Sequence, residues 1–233
     1  MSNGEGPARD PEVVSGDTAA DLSAGGPMLS LLARGLELWL RQQCEAIDEL
    51  RIELDGNALQ LVRGRLNAVR LQARGVRFQS LCFERVELRS SPLQVRMGLL
   101  LRNQTLCLEN PFEVTGTVHF SAEGLSRSLS TPPWIPLGDA LAEEILGVSP
   151  LTRLRFEGDR LIFCGQAAYR GRLLEQSVKP LTEDGELVLQ LDAVGPDGVP
   201  VLVRLPRDAN LHFERATVSG GRLELQGRAR VST

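Results

Sequence analysis

From Asp48 to the C-terminus the chain runs in short stretches of alternating apolar and polar residues separated by turn residues. Such a pattern specifies strands that bury one face each, and turns this close together leave antiparallel hairpins as the dominant unit. Arg51–Leu54 and Ala58–Val62 flank Asp55-Gly56-Asn57, which predicts a hairpin. Further strands are expected over 66–73, 76–80, 82–89, 93–102 and 105–109, with Asn103-Gln104 as a tight connection. Val114–Ser121 alternates most cleanly of all. Toward the C-terminus, Leu154–Phe156 is set to pair with Arg160–Cys164 around Gly158-Asp159. Glu186–Ala193 is set to pair with Val199–Leu205 across Gly195-Pro196-Asp197-Gly198, and Thr217–Ser219 with Arg222–Arg230 around Gly220-Gly221.

Helical spacing interrupts this pattern in three places. Leu29, Leu32, Leu36, Trp39, Leu40 and Ile47 recur at helical intervals, and Leu31 and Leu38 widen the stripe. An amphipathic helix is therefore expected over 28–47, its apolar face serving either a core or a membrane interface. Residues 122–130 suit a two-turn helix. Pro136 opens another over Leu137–Leu146, with Asp139 near its positive end and Gly147 past its stop. Residues 1–27 lack apolar periodicity and bury too little to offset ordering, so a disordered acidic tail is expected there, followed by one domain over 28–233.

No run of about 18 apolar residues is present, so no transmembrane helix is expected. No basic segment followed by an apolar run opens the chain, so no secretory signal is read there either. Charge is unevenly placed. Residues 60–102 hold nine arginines against Glu84 and Glu87, whereas residues 103–150 hold Arg127 against six acids. A basic block of this kind can face phosphate groups or can pair with acids brought close by folding. Nucleic acid is not expected as a partner, because only Phe78 and Phe83 could stack within that block. Cys44, Cys82, Cys107 and Cys164 are widely spaced and read as reduced, packed thiols.

No catalytic constellation emerges. His119 and His212 are the only histidines, both in strand patterns, with no nucleophile elbow, zinc-ligand pair or phosphate loop beside them. Asp139 and Glu143 share a helix face, but acids there complement the helix dipole and lack further ligands for a metal. The chain is therefore expected to be neither an enzyme nor a holder of a metal or other cofactor. Prolines bracket Trp134 and Ile135 in Pro132-Pro133-Trp134-Ile135-Pro136, where apolar side chains can either meet a ligand or cap the core.

Three segments together carry a resemblance: Val62-Arg63-Gly64-Arg65, the Leu125-Ser126-Arg127-Ser128-Leu129 helix, and the closing Ser219-Gly220-Gly221-Arg222-Leu223-Glu224-Leu225-Gln226-Gly227. With the order of elements, they make the chain similar to the LmeA-like phospholipid-binding family, in its cyanobacterial branch. The resemblance implies an α+β fold: a mostly antiparallel, strongly curved β-sheet packed around one long N-terminal helix and two short central helices. It also implies an apolar groove for a phospholipid or another apolar membrane-derived ligand. On pattern, Leu32, Leu36, Trp39, Leu40, Trp134, Ile135, Leu137 and Leu141 are the candidates to line it, with Arg63, Arg65, Arg70 and Arg74 at the headgroup. Members of the family are associated with the cell envelope, but with no secretory signal read here the expected location is cytoplasmic and peripheral to an inner or thylakoid membrane. The rival is a protein–protein interaction module of the cell envelope or thylakoid without a lipid; the sequence identifies no protein partner.

Overall fold

A computed structural model of the chain describes residues 26–56, 60, 63–95, 110–167, 171–194 and 198–232. The acidic tail expected over 1–27 lies outside these residues except for its last two, as do the strand expected at 105–109 and most of that at 93–102. Helix α1 spans Gly26–Gln43 and is followed by β1 (Glu49–Asp55), β2 (Arg65–Leu66), β3 (Ala68–Phe78), β4 (Leu81–Ser90), β5 (Leu93–Gln94) and β6 (Phe112–Ser121). Helices α2 (Ala122–Leu129) and α3 (Ile135–Leu146) come next. The chain closes with β7 (Leu151–Glu157), β8 (Arg160–Gln166), β9 (Leu173–Glu183), β10 (Glu186–Val194), β11 (Pro200–Arg204), β12 (Leu211–Ser219) and β13 (Arg222–Val231).

These strands form a six-stranded sheet in the order β1-β3-β4-β6-β13-β12, a five-stranded sheet in the order β11-β10-β9-β8-β7, and a small β2-β5 ribbon. All the pairings are antiparallel. The β-rich antiparallel character is as expected, but the single strongly curved sheet wrapped around a long N-terminal helix is not what forms. The strands divide into two sheets that are not strongly curled, and α1 packs against the β1 margin of the first and the β2–β5 ribbon. The division has a topological cause. The α2–α3 section separates β6 from β7, and β13 then returns to pair with β6 through ten residues, from Arg222↔Ser121 to Val231↔Phe112.

Three local expectations also change. The arm expected at Ala58–Val62 lies outside the described residues except for Gln60, and the partner β1 shows is β3, paired along its whole length with Glu49 opposite Arg74 and Asp55 opposite Ala68. Segments 66–73 and 76–80 belong largely to one strand, β3. Gly75 has φ +58° and shifts the alternation by one residue, so that Ala73 and Val76 are both buried on the same side. Central strand β9 had no sequence signature. It lies between β8 and β10, and its burial alternates up to Pro180, but Gln176 and Pro180 take more buried positions while Leu173 is exposed, so residue type shows no apolar alternation. Its Pro180 lies beyond Val178, the last residue paired to β8, so no ladder bond is lost on that side.

The main core lies between the two sheets. Phe120, Val218 and Leu223 of the first sheet meet Leu161, Phe163, Val178, Leu189 and Val203 of the second, with Leu129, Leu141 and Ile145 from α2 and α3 filling in. Ser121 caps α2 by accepting a hydrogen bond from Gly124 N, and Gly147 ends α3 in the left-handed conformation. The Leu-Ser-Arg-Ser-Leu segment has a definite job. Ser126 Oγ accepts from Leu154 N of the edge strand β7 (2.9 Å), and Ser128 Oγ accepts from Cys82 N at the start of β4 (2.8 Å). Two serines two residues apart thus fasten α2 to both sheets, satisfying backbone donors there.

Candidate functional site

On its inner face the six-stranded sheet carries three apolar clusters. Leu32 and Leu36 of α1 pack with Leu66 and Val95 over Ile52, Leu54 and Val69. Ala73, Val76 and Val86 form a middle cluster, and the inter-sheet core covers the far end. Between them the cover is incomplete. One inward row runs in register through Leu71, Leu88, Gly116, Gly227 and Phe213, and the neighbouring row through Ser90, Val114, Ala229 and Leu211. Leu71, Leu88, Val114, Phe213 and Ala229 are each only partly buried, and Leu211 is 44% exposed.

The two glycines in this row stand directly opposite each other. A Cβ on Gly116 would lie 2.0 Å from the Glu87 carbonyl oxygen, and one on Gly227 would lie 2.3 Å from that of His212. Both obstacles are backbone and cannot yield, so both positions require glycine. A stretch of sheet without side chains results, flanked by Leu88 and Phe213. This partly exposed apolar stretch, termed the trough, is bordered by the α1 cluster on one side. On the other lies β12, where Phe213 N donates to Gly185 O at 2.9 Å and Thr182 Oγ1 donates to Glu214 O at 3.2 Å.

The residues expected to line a groove do not form one surface. Leu32 and Leu36 are buried in the α1 cluster, with Trp39 partly buried beside them and Leu40 half-buried. Trp134, Leu137 and Leu141 belong to the inter-sheet core instead. Trp134 is fixed there because its indole N–H donates to Gln79 O at 2.7 Å, and Ile135 beside it is 40% exposed. The trough residues Leu71, Leu88, Val114 and Phe213 went unnoticed in the sequence. The available signal was a glycine at an inward position of each of two strands, Gly116 and Gly227, but only the register brings them together.

The four expected headgroup arginines are similarly divided. Arg70 and Arg74 lie on the outer face of the sheet, each 3.6 Å from a carboxylate oxygen, of Glu53 and Glu49 respectively. Arg63 and Arg65 are exposed beside Leu66, at the α1 cluster. The two histidines are far from any shared chemistry. His119 Nδ1 lies 3.8 Å from Glu224 on the outer face, while His212 packs against the Gly185 turn, where an added Cβ would strike its ring. Cys44, Cys82 and Cys164 are free thiols, Cys107 lies outside the described residues, and burial followed by the nearby Glu45 charge pushes the Cys44 thiol pKa up. Among the described residues no group of three His, Cys, Asp or Glu side chains is placed to hold a metal ion, and no helix is long and apolar enough to cross a membrane.

The architecture defines a class, a β-rich domain of two antiparallel sheets with one shared core and a half-covered apolar face. Its family is the LmeA-like phospholipid-binding family: that family's profile matches residues 24–228, and the chain belongs to it. No curated protein and no solved structure matches the chain.

Proposed function

We propose that the protein binds a phospholipid without chemically altering it, holding acyl chain along the trough over Gly116 and Gly227 and associating peripherally with a membrane. The observation that supports this most is the partly exposed apolar row from Leu71 to Phe213 on the inner face of the sheet, in a chain of a phospholipid-binding family. Apolar surface removed from water contributes roughly 25 cal/mol per Å², so an acyl segment covering on the order of 150 Å² would gain roughly 4 kcal/mol before ordering costs. Arg63 and Arg65 are the headgroup partners in this reading, being exposed beside the α1 cluster. The test is native mass spectrometry of gently purified protein, followed by organic extraction. A bound phospholipid, depleted on Leu88→Gln substitution, is the expected result. A clean mass of 25.5 kDa, with an extract no richer than that of a control protein, would refute the reading.

An interaction module without a lipid is the second reading, favoured by β11. This strand lies at the sheet edge, and on and just before it Val201 and Val199 are 38% and 60% exposed, the kind of edge to which another strand can add. One stoichiometric protein partner, lost on Val201→Lys substitution, would favour it.

A further inference from the structure

We infer that the outer face of the six-stranded sheet carries a separate binding site for a phosphoryl oxyanion, formed by Arg51, Arg74 and Arg85 around Gln72. These side chains, with Glu49, border a depression on that face. The cross-strand register is the main reason. Between β1 and β3 opposite charges face each other, Glu49 with Arg74 and Glu53 with Arg70. Between β3 and β4 the rule fails twice, because Arg74 stands directly opposite Arg85 and Arg70 opposite Arg89. Like charges directly opposite one another destabilise a sheet, so such pairs call for a counter-charge.

The same molecule shows how a like-charge pair is satisfied. Glu183 stands opposite Glu186 between β9 and β10, and Arg204 bridges both at 2.7 Å and 3.7 Å. Among the described residues no carboxylate bridges both members of either arginine pair. Glu49 reaches Arg74 only at 3.6 Å, and Glu87 contacts Arg85 from the side. Arg51 and Arg89 have no carboxylate partner among the described residues. Three guanidinium groups against Glu49 and Glu87 leave one net positive charge, which matches a singly charged phosphoryl oxyanion, and planar guanidinium groups bind such oxygens in pairs. Two sources carry this chemistry, a lipid phosphodiester and free inorganic phosphate. The site lies across the sheet from the trough, so it goes beyond the reading proposed above.

The experiment uses the full chain. Inorganic phosphate is titrated in while backbone and arginine side-chain resonances are followed by NMR, and flotation is measured with phosphatidylcholine vesicles with and without phosphatidylglycerol. Shifts confined to β1, β3 and β4, about tenfold weaker in R51Q/R85Q, are expected for free phosphate as the source. Flotation on phosphatidylglycerol vesicles alone, lost in R51Q/R85Q, is expected for the lipid phosphodiester. No response to either probe, or an equal response in the variant, overturns the site. Competition by sulfate on the unmodified chain gives the same answer should the variant not fold: saturable displacement supports the site and none refutes it. Co-purified lipid should be unchanged in R51Q/R85Q, and its loss would refute the separation of this site from the trough.

Discussion

Replacing Gly75 with alanine tests the kink on which the apolar face of β3 depends. The residue has φ +58°, a conformation that costs an L-amino acid roughly 1–2 kcal/mol. Its added Cβ would also lie 1.9 Å from Asp48 Oδ2 and 2.4 Å from Asp48 Cγ. Asp48 is exposed, so its carboxylate can swing aside at a cost of roughly 0.5–1 kcal/mol in a poorer rotamer. Gly75→Ala should therefore destabilise by about 1.5–3 kcal/mol in total. Asp48→Ala removes the carboxylate but leaves a Cβ at 3.0 Å, so in that background the same substitution should cost about 1–2 kcal/mol. The coupling of roughly 0.5–1 kcal/mol between two touching residues is then the signature of the close approach. Urea unfolding followed by circular dichroism reads all four corners of the cycle, as shifts of midpoint at constant slope. A single substitution costing under about 0.5 kcal/mol, or additive costs, would refute this account of the kink.

Other expectations are equally direct. Ser128→Ala removes a fully buried hydroxyl, leaves the part-buried Cys82 N–H without its acceptor and should cost about 1–3 kcal/mol in the same assay, whereas Ser128→Thr, which keeps the hydroxyl, should retain part of it. The hydrogen bond from Lys179 holds the Asp159 carboxyl below its ordinary pKa. A depressed folded-state pKa means that the contribution is present above the ordinary aspartate range and is lost as pH falls through the lowered value. Lys179→Met should accordingly return the NMR titration of Asp159 toward the ordinary range, and an unmoved titration would refute the pairing. The raised pKa of Cys44 predicts that its alkylation lags that of an unstructured cysteine peptide at neutral pH and accelerates only at alkaline pH, as mass spectrometry of timed samples would show.

Much of the local structure was legible because it depends on neighbours in sequence. The β7–β8 and β12–β13 hairpins formed around the turn residues that announced them, β10 and β11 pair as expected, and α2 and α3 kept close to their expected bounds. The failures have separate causes. The long-range partner of β1 is β3, which buries Leu50, Ile52 and Leu54 beside Leu71 and Val69, and no local turn signal announces a pairing between strands so far apart. Gly75 hid the continuity of β3 by breaking its period of two. In strand β9, Gln176 and Pro180 take the more buried positions and Leu173 an exposed one, so no apolar alternation was there to read.

The candidate sites divide along the same line. Sequence alone determined that Gly116 and Gly227 fall at inward positions of strands and that arginine crowds residues 60–102. Only the tertiary structure set those glycines opposite each other, left the surrounding apolar row half-covered, sent Trp134 into the core and placed Arg74 against Arg85. Propensity and turn chemistry act over a few residues and are written in the chain itself. Register between distant strands is chosen by the burial of whole faces, and a shift of one residue would turn every side chain to the other side.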